Sequence, residues 1–75
     1  MNPQNLIEMA NSIAAFFAAE PVRADAVRGI ATHLSRFWEP RMHRQLRAAI
    51  AGGQASGLDP LVTEALAQLE QPKAA

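Results

Sequence analysis

The sequence contains no cysteine, which removes disulfides, thiolate zinc sites and thiolate-held iron–sulfur clusters from this chain. No segment approaches the roughly 20 apolar residues that a membrane span needs. Met1 to Glu8 carries neither the basic start nor the apolar run of a secretion signal. The expectation is a soluble, cytoplasmic chain that stays out of membranes. Aromatic residues are scarce, with one Trp and three Phe. Net charge is missing as well: seven basic residues balance seven acidic ones. A neutral total weakens any nucleic-acid reading that depends on overall charge. No stretch reads as a β-strand.

What is present is largely helical material. Hydrophobic residues make up 49% of the 75 positions, but many are Ala, which adds helix propensity more than buried area. A chain this short forms one domain at most and buries only about 60% of its extended surface. With no staple available, an undersized core points to a partner that completes it. The charge is also unevenly spread. Residues 1–25 carry Arg23 against Glu8, Glu20 and Asp25, a balance of −2. Residues 26–50 carry Arg28, Arg36, Arg41, Arg44 and Arg47 against Glu39, a balance of +4. Residues 51–75 return to −2, with Lys73 against Asp59, Glu64 and Glu70.

Four helices are expected. Asn2-Pro3 supplies a cap and a first-turn proline. From there Leu6, Met9, Ala10, Ile13, Phe16 and Phe17 recur at spacings of three and four, with Ile7 at the edge and Glu8, Asn11, Ser12 and Ala15 opposite. Glu20-Pro21 ends this helix. A second runs from about Arg23 to Trp38, with Val27, Ile30, Ala31, Leu34, Phe37 and Trp38 as its apolar face. Gly29 either admits another backbone closely or is a tolerated surface glycine, and the second is the working expectation. A third helix, about Pro40 to Ala51, sets Met42, Leu46, Ala49 and Ile50 against Arg41, Arg44 and Arg47. Gly52-Gly53 stops it, and the stretch to Gly57 reads as a flexible loop. Asp59-Pro60 opens a fourth helix with the stripe Leu61, Val62, Ala65, Leu66 and Leu69, ending at Gln71-Pro72. The fold class is all-α, a small compact bundle of about four short helices in a single domain. Its ordered core covers about residues 3–70, and residues 71–75 fray.

The organising stretch is Arg36-Phe37-Trp38-Glu39-Pro40-Arg41-Met42. Pro40 lacks an N–H and pushes Glu39 out of the α region, so one helix stops near Trp38 and another starts at Pro40. The result is a corner with aromatic rings pinned beneath it and Arg36, Arg41 and Arg44 around it. Guanidinium groups beside exposed aromatic surface suit a protein partner or an acidic one. Arg36, Phe37, Trp38, Glu39, Arg41, Met42 and Arg44 are therefore the expected partner-binding residues. The Arg41/Arg44/Arg47 row reads as a solvated face, as a surface for an acidic protein partner, or as phosphate contacts of a small helical nucleic-acid-binding module. The last needs polar base readers on the same helix, and only Gln45 offers one.

Catalysis finds little footing. Ser35 lies two residues from His33, on a different side of the helix. His33 and His43 fall in different helices and have no neighbouring carboxylate pair, at best a fragment of a metal site. Each reads as a packing residue with one polar edge. Gly52-Gly53 follows a helix and cannot serve as a phosphate loop. The expectation is no enzyme, with no catalytic, cofactor-binding or metal residues in this chain.

Three blocks nevertheless carry a family resemblance. They are Met9-Ala10-Asn11-Ser12-Ile13-Ala14-Ala15-Phe16-Phe17; Gly29-Ile30-Ala31-Thr32-His33-Leu34 running into Phe37-Trp38-Glu39-Pro40-Arg41-Met42; and Gly57-Leu58-Asp59-Pro60-Leu61-Val62. Spread over Leu6 to Leu69, they resemble the delta subunit of cytoplasmic NAD-dependent, molybdenum-containing formate dehydrogenase. The F-W-[DE]-P-R-M block is the most specific. Glu39 stands where Asp is expected at least as often, keeping the charge but capping less well. The resemblance implies a non-catalytic accessory subunit that supports stability or assembly of the complex. The alpha subunit would carry molybdopterin and iron–sulfur clusters, and beta and gamma subunits would pass electrons to FMN and NAD. Partners implied are the large alpha subunit together with beta and gamma, and no nucleic acid. In isolation the chain is free to self-associate.

Overall fold

A computed structural model describes residues 2–70 of the chain. Among them are four helices and no strand: α1 (Pro3–Phe17), α2 (Arg23–Phe37), α3 (Pro40–Ala51) and α4 (Pro60–Glu70). The expected helix end at Gln71-Pro72 and the frayed tail lie outside the described residues.

The helices begin where the sequence supplies a cap or a proline. Asn2 accepts the Gln4 N–H through Oδ1 at 2.8 Å, with Pro3 next in line. Asp59 caps α4 by accepting the Leu61 N–H at 2.9 Å, ahead of Pro60. Glu39 precedes Pro40 but makes no side-chain cap bond, as expected for the longer acid. No side chain caps α2; Asp25 in its first turn faces the positive end of the helix dipole instead. At the far end of α1 the helix stops at Phe17, ahead of the Glu20-Pro21 boundary, and Ala18 still donates to the Ala14 carbonyl at 2.8 Å. The end of α3 is a Schellman motif. Gln54 N–H reaches the Ala49 carbonyl at 2.7 Å and Gly53 N–H the Ile50 carbonyl at 3.2 Å, with Gly53 at φ 74°.

The core gathers Leu6, Ile7, Ala10 and Ala14 from α1, Val27, Ile30, Ala31 and Leu34 from α2, Leu46 from α3, Val62, Ala65 and Leu66 from α4, and Trp38 from the corner. Helix α2 packs against both α1 and α4, and α1 also reaches α3 and α4. Two expected faces are corrected. On α1 the buried stripe is turned toward Ile7 and Ala14, leaving Met9 39% and Phe16 76% exposed. Small Ala10 and Ala14 let α1 sit close to its neighbours, and that approach turns the larger flanking residues outward. On α2, Phe37 is 68% exposed because Trp38, leaving the helix in extended geometry, takes the core position instead.

One expected polar residue gains a role and one expectation gives way. The far end of the loop after α3 is held by Asn11, expected on the polar face of α1. Asn11 donates to the Gly57 carbonyl at 2.8 Å and accepts the Asp59 N–H at 2.9 Å, tying the loop to α1. Gly29 is no tolerated surface glycine: a Cβ there would stand 2.5 Å from two ring carbons of Phe17. The Phe17 ring lies on the α2 backbone at that position.

Gly29→Ala should therefore lower stability by about 1 kcal/mol, overpacking of about 1–3 kcal/mol outweighing about 1 kcal/mol of helix propensity. In a Phe17→Ala background the same change should become stabilising, since only the propensity gain is left; urea titration of the four chains of this cycle measures the reversal. Trp38→Ala should cost about 3–5 kcal/mol and leave the isolated chain largely unfolded by circular dichroism, a small domain having little stability in reserve. A variant melting like the parent would show that the ring carries no core energy.

Candidate partner-docking surface

The corner is built from two consecutive extended residues. Trp38 (φ −94°, ψ 136°) and Glu39 (φ −70°, ψ 152°) carry the chain from α2 to Pro40, where α3 begins. Trp38 is only 7% exposed, and its ring stacks on His43 with centroids 6.3 Å apart and planes inclined by 27°. His43 Nε2 donates to the Leu34 carbonyl at 2.7 Å, and the same carbonyl receives the Trp38 N–H at 3.1 Å. The polar edge expected of His43 thus closes the corner.

With Trp38 inside, the expected partner-binding residues divide. Arg36, Phe37, Glu39, Arg41 and Arg44 are exposed, while Met42 is half-buried and packs against the core. The side chains of Arg36, Arg41 and Arg44 make no hydrogen bond or ion pair with the described residues. Arg23 and Arg28, by contrast, pair with Glu64 and Asp25 respectively. Arg47 departs from the expected row: it is half-buried and donates to the Leu66 carbonyl at 3.3 Å, joining α3 to α4. Gln45, the one base reader on α3, buries its Oε1 with no hydrogen-bond partner among the described residues. A three-arginine face with an adjacent base-reading amide is therefore not what α3 presents.

A second region was assigned to the core from sequence. Phe16 and Phe17 meet edge to face with centroids 5.1 Å apart, and the exposed Phe16 borders an apolar hollow of about 350 Å³ shared with Ser12, Ile13, Phe17 and His33. His33 lies 4.7 Å from the Phe37 ring, centroid to centroid. Beside it runs a groove of about 380 Å³ from Glu20 and Asp25 past Gly29 and Thr32 to Arg36 and Phe37. One sequence signal does separate Phe16 from Phe17: adjacent helical residues point about 100° apart, so both rings cannot face inward. Among the described residues no three His, Cys, Asp or Glu side chains gather as metal ligands. No helix there is long and apolar enough to cross a membrane.

The arrangement offers contact surface: exposed rings, arginines with no partner among the described residues, and two open grooves. A family model described as NADH-dependent formate dehydrogenase delta subunit FdsD matches residues 5–66, a span holding most of α1, all of α2 and α3, the corner and more than half of α4. No curated protein and no solved structure matches the chain.

Proposed function

The chain belongs to the NADH-dependent formate dehydrogenase delta subunit family, and we propose that it is a non-catalytic accessory subunit supporting stability or assembly of a cytoplasmic, molybdenum-containing complex. Formate oxidation to CO2 and NAD reduction fall to the other subunits, which hold molybdopterin, iron–sulfur clusters and FMN. This chain docks on the large alpha subunit, with beta and gamma subunits completing the complex. The observation that carries the reading is the family match across residues 5–66. The corner supports it, because Arg36, Arg41, Arg44 and Phe37 are exposed there and the three arginines make no hydrogen bond or ion pair among the described residues. A sequence without cysteine also offers no thiolate to a cluster.

In this reading the docking residues are Arg36, Phe37, Glu39, Arg41 and Arg44, with Met42 and Trp38 holding the corner from beneath. Exposed arginines contribute little to the stability of a free domain, whereas a desolvated Arg at an interface is often energetically dominant. Arg41→Ala combined with Arg44→Ala should leave helicity and melting of the free chain nearly unchanged. The same double variant should weaken association with the large subunit by about tenfold or more, equivalent to about 1.4 kcal/mol. Quantitative co-purification at physiological salt measures it. Undiminished recovery of the double variant would remove these arginines from the dock.

A further inference from the structure

The groove along α2 carries charges of opposite sign at its two ends, and we propose that it is a self-association surface whose occupant is a second copy of this chain. At one end stand Glu20 and Asp25, at the other Arg36 and Phe37. Asp25 and Arg28 satisfy each other at 3.3 Å. The side chains of Glu20 and Arg36 find no hydrogen-bond or ion-pair partner among the described residues, although both line the same groove.

A two-fold interface uses one patch twice, so that patch must be complementary to itself. Asp25 and Arg36 lie eleven residues apart on α2, roughly 16 Å along its axis. A second copy laid antiparallel, with the axis near Gly29 and Thr32, sets each Arg36 against the other copy's Glu20. It also sets the two Phe17 rings, each lying over its own Gly29, close to the axis, where they supply the apolar centre of the contact. An interface of ordinary size takes about 800 Å² from each partner, against a total surface of 4932 Å². Arg36 and Phe37 also belong to the proposed dock, so pairing of two copies and docking on another subunit exclude one another. The inference itself rests on the groove and not on the family reading.

Sedimentation equilibrium of the full chain tests it. The average mass should climb with concentration from 8.1 kDa toward twice that value. Arg36→Glu and Glu20→Arg should each weaken the dimer by about tenfold or more, because each places like charges opposite one another twice. An equimolar mixture of the two variants should regain the dimer, since each contact then pairs opposite charges. Both positions are exposed, and circular dichroism verifies that the variants fold. A parent chain that remains monomeric overturns the proposal, as does a mixture no better associated than its components. A monomeric parent whose Arg36→Glu variant is lost from the complex overturns it too and gives the groove to another subunit. A parent that dimerises with this charge dependence, yet fails to co-purify with formate dehydrogenase, supports the second copy and overturns the dock.

Discussion

The Leu34 carbonyl is the point on which the corner turns. It ends α2 by receiving the Trp38 N–H, and it fixes α3 by receiving the His43 ring nitrogen. One oxygen thereby sets where one helix stops and how the next departs. The energies divide the labour: such a bond is worth about 1 kcal/mol net, while burial of the Trp38 ring is worth several times more. The ring stabilises the corner and the bond gives it direction. Pro40 excludes the competing outcome, one long helix, because it cannot donate to a carbonyl four residues back and would clash with it.

Close approach by small residues is how so small a core is packed. Ala10, Ala14, Ala26, Ala31, Ala49 and Ala65 are all buried, so much of the packing is backbone near backbone. Gly29 extends the same device to an aromatic partner, with the Phe17 ring seated where a side chain would otherwise stand. Helices that approach this closely have little freedom to rotate, and that is why α1 has to choose between Ala10/Ala14 and Met9/Phe16 as its inner edge. Asn11 then falls beside the α3–α4 connection, where it supplies both a donor and an acceptor to backbone groups. A polar residue next to the core is satisfied there instead of being buried at a cost.

Helix boundaries were legible because local chemistry sets them. Asn2-Pro3, Glu39-Pro40, Gly52-Gly53 and Asp59-Pro60 each act within one turn, and each acts as expected. Facing was less legible. On α1 the periodicity admits Leu6, Met9, Ile13 and Phe16 as readily as Leu6, Ile7, Ala10 and Ala14, and only tertiary contact chooses between them. Long-range polar contacts were invisible for the same reason: Asn11 to Gly57 and Arg47 to Leu66 join positions far apart in sequence. The corner was readable as a corner, but a sequence pattern does not say which of two adjacent rings turns inward. Trp38 went in and Phe37 out because the helix ends between them.

That division of the rings bears on what the surface is for. The chain has four aromatic residues, and two of them, Phe16 and Phe37, are largely exposed while alanines fill the interior. In a domain short of core area, folding alone would favour these rings inside, where each would add far more buried surface than an alanine. Their positions prevent it: Phe16 is locked outward by its neighbour Phe17 on Gly29, and Phe37 by its neighbour Trp38 at the corner. The same contacts that hold the fold together therefore hold these rings in solvent. Arg36 stands next to one of them with no ion-pair partner among the described residues. Stability explains the more buried member of each aromatic pair; the exposed member makes only a ring contact, Phe16 with Phe17 and Phe37 with His33. Contact with another surface, as proposed for Phe37 and Arg36, would add apolar burial that the described residues do not achieve among themselves.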